Sequence, residues 1–446
     1  MKKRILAVLI ATALAVSVTG CAGNATSSSD STSASSVAES SDTSTQTSAD
    51  TSSEDESKNE SSQEESKDLE ANYTKYTLDG DLTQHMIDMS RLNEGNKVRL
   101  ANVIKKLKNG EEVTVGFIGG SITQGTSAGN DLCYAKLTAD WLQQTYSNAK
   151  INYVNAGIGA TGSYIGVHRV ENDLLSKKPD LVFVEFSVND TTENTERNKK
   201  SYDGLLRTIW KSSTNPAIIT IATTQEDGTS FQDQHAEIVK HYDLPMISYR
   251  NTILDTIKHG DIVWKDISDD NIHPNVPGHK IVSQLLQAYI SDVDNISGSE
   301  SDFTTPATDA PIENGSLIQP SSATDVNATG AFGNYEQQFG GFDGFWLFKG
   351  TSDADISATS LTFKVNAKSI GILYQKYTKA GCTADVYIDD ELVTTLNADF
   401  TGGWGNYVEC AELKNFDSAG EHTVKIVPKG LEGKASKFGV SALAIA

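Results

Sequence analysis

Four short stretches of this chain hold side chains able to do chemistry. They read "GGSIT" (119–123), "NAGIGATGS" (155–163), "FSVND" (186–190) and "DNIHP" (270–274). Ser121 becomes a nucleophile at neutral pH only if a base takes its proton. His273 can be that base, and Asp270, three residues earlier, can hold the imidazole tautomer from the same loop. An oxyanion formed by attack on a carbonyl needs fixed donors. Backbone N–H groups of Gly-rich turns and the amide of Asn189 can supply them. Each residue also has a plainer reading. Ser121 can be a helix N-cap, Asn189-Asp190 a turn and His273 a loop histidine before Pro274, while Asp269 competes with Asp270. For all of these to hold, four turns would have to imitate one site in chain order.

Rival sites fit less well. A dinucleotide fingerprint needs Gly-x-Gly-x-x-Gly, but residues 116–121 read Gly-Phe-Ile-Gly-Gly-Ser, and no acid ends the next strand. No Lys-Ser/Thr pair follows the glycines as a P-loop requires. An α/β-hydrolase elbow wants glycine two residues after the serine, where Thr123 stands. A metal site from His273, His279 and Asp269 is conceivable, but His279 follows Pro277-Gly278 at the start of a predicted helix. No cysteine pair has zinc-ligand spacing. The chain is therefore expected to use neither metal nor cofactor.

The surrounding elements can place these stretches together. Apolar strands "VTVGFI", "INYVNAG", "DLVFVEF", "AIITIATT" and "PMISY" alternate with amphipathic helices between residues 96 and 290. One such helix, "CYAKLTADWLQQTY", is expected to bury Tyr134, Leu137, Trp141 and Leu142. Continuous apolar strands between helices imply a parallel sheet covered on both faces. Ligands of such open sheets bind beyond the carboxyl ends of the strands, and Ser121 follows one such end. After residue 298, "SDFTTPATDAPIENGS" reads as a linker. Short alternating runs follow, "LTFKV", "SIGILYQ", "ADVYIDD", "ELVTTL", "HTVKIVP" and "VSALAIA". They predict an antiparallel β-sandwich. The expected fold class is thus α/β, a three-layer α/β/α flavodoxin-like parallel sheet, followed by an all-β sandwich domain.

Taken together, the four stretches resemble the blocks of the SGNH (GDSL-type) hydrolase superfamily over roughly residues 95–292. The resemblance implies that Ser121 is the nucleophile and lends its own N–H to the oxyanion hole. It implies that Asn189 is a side-chain donor and that Asp270 and His273 are acid and base. The backbone donor of the second block falls on Gly159 or Ala160. Two positions depart from the usual pattern. Gly120 stands where the first block has aspartate, and Ser187 where the third has glycine. Neither departure removes a group that does chemistry. The implied reaction is two-step ester hydrolysis through an acyl-serine.

The chain ends narrow the setting. "MKKRILAVLIATALAVSVTGC" has three basic residues, an apolar run too short to span a bilayer stably, then small residues and Cys21. This reads as a secretory signal and resembles a bacterial lipobox, with lipid on Cys21. The protein is expected at the cell surface, held to the membrane by that anchor alone. Residues 22–70 hold twelve acidic side chains against two lysines and almost no large apolar ones. Such a segment cannot offset its ordering entropy and reads as a disordered tether spanning about 40 Å. Its acidity argues against nucleic acid as a partner. The expected organisation is signal peptide 1–21, tether 22–72, hydrolase domain 73–297, and linker with β-sandwich 298–446. Cys133 opens a predicted helix as a small buried hydrophobe. Cys382 and Cys410 lie on predicted strands, where export permits a disulfide.

No long apolar lid segment separates the blocks, which weakens a lipid substrate. A tethered enzyme with an attached β-sandwich resembles a carbohydrate esterase, so the expected partner is an acylated polysaccharide and the expected product acetate. Trp346, Trp404 and Tyr407, in "FGGFDGFWLF" and "GGWGNY", are candidates for stacking on sugar rings; the alternative is that they fill the sandwich core. A lipase or thioesterase of the same fold, and a non-catalytic carbohydrate-binding surface protein, are the competing readings of the whole chain.

Overall fold

The computed structural model describes residues 73–446 except 192–194, 294–295, 336 and 351–355. Cys21, the signal segment and the tether lie outside the described residues. Strands β1 (Arg91–Asn93), β2 (Glu112–Gly119), β3 (Lys150–Gly157), β4 (Leu181–Glu185), β5 (Ala217–Ala222) and β6 (Met246–Ser248) form one sheet in the order β1-β6-β5-β4-β2-β3. β2 to β6 run parallel, and β1 pairs antiparallel with β6 at the edge. β1 is three residues long, too short for any apolar period to announce it. β4 and β5 are buried at every position, as continuous apolar runs require of strands covered on both faces.

Ten helices join these strands among the described residues. They are α1 (Gln84–Ser90), α2 (Val98–Lys108), α3 (Ser121–Gln124), α4 (Tyr134–Thr145), α5 (Ser163–Asp173), α6 (Thr195–Trp210), α7 (Gln232–His241), α8 (Tyr249–Lys258), α9 (Trp264–Ile267) and α10 (Val276–Ser291). α2, α4, α8 and α10 bury their apolar stripes on one face of the sheet; α5, α6 and α7 cover the other. None of them is long and apolar enough to cross a membrane. The buried stripe of α4 is Tyr134, Ala135, Thr138, Ala139 and Leu142, so Leu137 and Trp141 sit half-buried at its border. Small side chains let α10 approach closely enough for Thr138 Oγ1 to bond Ser283 Oγ at 3.0 Å.

The second module is all-antiparallel. β7 (Ser316–Ile318), β8 (Val326–Thr329), β9 (Phe332–Tyr335), β10 (Phe345–Gly350), β11 (Ser360–Lys376), β12 (Thr383–Ile388), β13 (Glu391–Asn397), β14 (Tyr407–Lys429) and β15 (Ser436–Ile445) are hydrogen-bonded into a nine-stranded sheet around their own core. The runs "LTFKV" and "SIGILYQ" are one strand, β11, with register shifts near residues 367–371. An irregularity of this kind breaks the two-residue alternation and makes one bent strand read as two. Trp346 is a core residue, not a sugar contact. It is 4% exposed on β10 and meets Phe363 edge to face at 5.1 Å. Cys382 and Cys410 are free thiols. Cys382 lies in the β-module core, whereas Cys410 packs against the α/β module, so no disulfide joins them.

The two modules share packing. Leu373, Val408, Ala442 and Ala444 of the β module join the same cluster as Tyr164 and Ile165 of α5. At Gly371 the contact is so close that a Cβ would stand 2.0 Å from the Tyr164 hydroxyl. The expected linker is a docked strap. Phe303 stacks on Tyr242 at 3.9 Å and on Trp210 at 4.4 Å. Further on, the Thr308 amide bonds Asp203 at 2.7 Å, and Glu313 pairs with Arg207 and Lys211. Its polar composition hides this, because one aromatic anchor and paired charges hold it. Phe303→Ala is expected to remove about 3–5 kcal/mol, as for other buried phenylalanines, read as a lower midpoint in urea unfolding.

Candidate active site

β2 ends at Gly119, Gly120 caps α3, and Ser121 is the first residue of that short helix. Its amide therefore has no intrahelical acceptor. The loop between α9 and α10 brings the other two groups. Asp270 Oδ1 accepts the amides of Ile272 and His273, both at 2.7 Å. Asp270 Oδ2 lies 2.7 Å from His273 Nδ1, and His273 Nε2 lies 2.9 Å from Ser121 Oγ. Both aspartates are exposed, and Asp270, not Asp269, makes the contact. Partial burial would raise the Asp270 pKa, but the His273 amide, its imidazole and the Ile272 amide outweigh it and hold the carboxyl below its ordinary value. The ionised carboxylate then favours Nδ1–H, which leaves Nε2 free to accept a proton from serine. Buried groups fix this loop from below. Trp264 Nε1 donates to the Asp270 carbonyl at 2.6 Å. Ser268 Oγ lies 2.6 Å from the His273 carbonyl and 2.8 Å from that of Asp270.

The second stretch forms a turn after β3. Asn155 ties it to α3, donating to the Thr123 carbonyl at 2.8 Å and accepting the Gly157 amide at 2.9 Å. The Gly159 amide is taken by Gln124 Oε1 at 3.0 Å. Ala160 holds a left-handed backbone with φ of 57°, and its amide makes no hydrogen bond among the described residues. Of Gly159 and Ala160, only Ala160 thus keeps its amide free among the described residues. A non-glycine residue in that conformation costs on the order of 1 kcal/mol or more, a strain found where backbone groups must be aimed.

Asn189 sits on the turn after β4, its amide 3.1 Å from the Phe186 carbonyl. Its side chain lies against Gly120, where a Cβ would stand 2.0 Å from Asn189 Oδ1. This accounts for the missing aspartate of the first block, since the space is occupied. The other departure also has a structural use. Ser187 Oγ donates to Glu185 Oε1 at 2.9 Å and accepts the Thr223 amide at 2.7 Å. Burial pushes the Glu185 carboxyl pKa up, against the bonds from Thr223 and Ser187.

Several contributing residues carry no sequence signal. Asp190 is 1% exposed. It accepts the Ser163 amide at 2.8 Å, at the start of α5, and pairs with His235 Nε2 at 2.9 Å. This links the third stretch to the second through a helix N-terminus. His279 is buried and structural. Burial lowers its pKa to about 4, and its Nδ1 accepts the Tyr134 amide at 3.1 Å. It is therefore committed to α4 and not to a metal with His273 and Asp269.

The β module reaches this rim. At Gly341 a Cβ would stand 2.8 Å from Ile158, so the loop lies directly on the turn that carries Ala160. Gly340 of the same loop packs on Val408, the neighbour of Tyr407. Trp404 is 72% exposed, stacks on Tyr407 at 5.0 Å and meets Phe400 edge-on at 5.9 Å.

Comparison with known proteins agrees with this geometry. The family model of GDSL-like lipases/acylhydrolases matches residues 117–281. A two-domain esterase, CEX, active on acetylated mannans and crystallised with mannopentaose, is 30% identical, with a TM-score of 0.71 over 80% of this chain and 97% of that one. A second structure of a two-domain esterase (CEX) active on acetylated mannans gives 30% identity and a TM-score of 0.72 over the same shares. The chain belongs to the GDSL-like lipase/acylhydrolase family. Among curated proteins none matches it by sequence. As a member of this family it is an SGNH-type esterase, and Ser121 lies in the matched span. A side chain at residue 120 would have to displace the Asn189 amide. Gly120→Asp, which restores the usual family residue, is expected to displace Asn189 and lower kcat for p-nitrophenyl acetate at least ~10²-fold, the scale of one lost donor. Circular dichroism should remain unchanged.

Proposed function

We propose that this enzyme removes acetyl groups from a mannan-type polysaccharide, with Ser121 as nucleophile, His273 as general base and acid, and Asp270 as the orienting carboxylate. The observation that carries the reading is the continuous hydrogen-bonded chain from Asp270 through His273 to Ser121. Ser121 Oγ attacks the acetyl carbonyl while its proton passes to His273 Nε2. The imidazolium formed is stabilised by Asp270. The oxyanion is faced by the amides of Ser121 and Ala160 and by the Asn189 side chain. Collapse breaks the ester bond, and the sugar hydroxyl leaves with the proton from His273. Water then attacks the acetyl-serine by the reverse proton path and releases acetate.

Similarity to an esterase active on acetylated mannans, across both modules, supports the substrate class. The exposed Trp404 with Tyr407 offers a flat apolar face of the kind sugar rings stack on. Attachment through Cys21 places the enzyme at the cell surface, beyond an acidic tether.

Ser121→Ala is expected to abolish acetate release from acetylated mannan while leaving the fold intact. Asn189→Ala should lower kcat by about 10²–10³. Full activity in the serine variant would sink the mechanism, and equal turnover of long-chain acyl esters would sink the acetyl assignment. Trp404→Ala should raise KM for acetylated mannan several-fold more than for p-nitrophenyl acetate. Metabolic labelling with a fatty acid should mark the wild type and not Cys21→Ser.

A further inference from the structure

A second cluster of chemistry-bearing side chains lies outside the active site. His85 Nε2 is 2.6 Å and His259 Nδ1 3.3 Å from the same oxygen, Asp255 Oδ2. All three atoms lie within 4.8 Å of one another. We propose that His85, Asp255 and His259 bind one divalent transition-metal ion, with Zn²⁺ the best fit, and that the ion clamps the N-terminal segment to the α/β module.

Local structure presents the ligands. Asp255 and His259 are four residues apart at the end of α8, so they project from one side of that helix. His85 comes from α1, which packs across it. Zn²⁺ binds imidazole nitrogen and carboxylate oxygen at about 2.0–2.2 Å, which puts tetrahedral ligand atoms roughly 3.3 Å apart. The Asp255–His259 pair already has that spacing. His85 and Asp255 would separate by about 0.7 Å to reach it. The donor set of two imidazoles and one carboxylate suits Zn²⁺, whereas Mg²⁺ and Ca²⁺ call for more oxygens. A water can complete the tetrahedron. His259 Nδ1 also approaches the Asp255 carbonyl at 3.0 Å. On binding, the ring carries its proton on Nε2 instead, and that carbonyl keeps the bond from the His259 amide at 3.0 Å.

The surroundings complete the clamp. The side chains of His85, Asp255 and His259 are 3%, 16% and 22% exposed. Tyr73 stacks on His259 at 4.1 Å and meets His85 edge-on at 5.3 Å. Its hydroxyl donates to Asp261, which also accepts the Tyr76 amide at 2.6 Å. One ion would thus join the first described residues, α1 and α8. α8 starts at the carboxyl end of β6 and runs back about 15 Å, so the ion would hold structure rather than join the ester chemistry.

The test is calorimetric titration of ZnCl₂ into the untagged full chain after EDTA stripping, with the bound metal counted by elemental analysis. One ion per chain is expected. Asp255→Asn and His259→Ala should each weaken binding at least ~10-fold, and His422→Ala, whose ring pairs with Asp389 in the β module, should leave it unchanged. Wild-type p-nitrophenyl acetate turnover in each variant shows that it is folded, and His259→Gln replaces His259→Ala if the latter is not. No saturable Zn²⁺ uptake by the wild type overturns the proposal. So does undiminished uptake in the Asp255 and His259 variants, because the cluster would then be a hydrogen-bonded knot only.

Discussion

The rim of this enzyme depends on how closely the carboxyl ends of β2 and β4 approach each other. Gly119 and Glu185 are register partners across that pair, and a Cβ on Gly119 would stand 2.4 Å from the Glu185 carbonyl. The next residues, Gly120 and the Asn189 side chain, are as tightly opposed. The strand order reverses here, since β3 lies on one side of β2 and β4 on the other while all three run parallel, and such a switch point opens a crevice at the carboxyl ends of the strands. The Asn189 side chain reaches the turn beside Ser121 because Gly120 carries no side chain to occupy that space.

Around that contact, buried polar groups act as spacers. Asp190 ties the turn after β4 to the start of α5, and Asn155 ties the turn after β3 to α3. Gln124 occupies the Gly159 amide, whereas that of the strained Ala160 stays unbonded among the described residues. The Asp190–Ser163 bond lies among groups withheld from water, where an unpaired partner costs more than in solvent; the Asn155 bond is partly buried and the Gln124 bond is exposed. These bonds keep the turns oriented without a ligand.

The same helix that begins at this rim carries the second module. Tyr164 of α5 enters a gap over Gly371, and Leu373, Val408, Ala442 and Ala444 close around it. The strap through Phe303 and Glu313 adds a second attachment on α6. Two anchors of this kind hold the module against rotation, so its loop at Gly341 stays on Ile158. The β module is thus a wall of the active-site region.

Much of this was legible in the chain. Strand–helix alternation announced the layered sheet, because burial on both faces demands unbroken apolar runs, and the four blocks announced the serine, histidine, aspartate and asparagine that meet. Periodicity did not announce what depends on partners distant in sequence. Trp346 reads the same in a core as on a surface, and Cys382 and Cys410 read as a pair although they face different cores. The strap looks like a linker until Phe303 finds Trp210 and Tyr242. The sequence by itself determined residue types, local periods and the order of the blocks. Only the tertiary structure decided that Ala160 rather than Gly159 keeps its amide, that Gly120 leaves room for Asn189, and that His85 meets Asp255 and His259. These are distances between segments far apart in the chain, set by packing, and no local rule carries them.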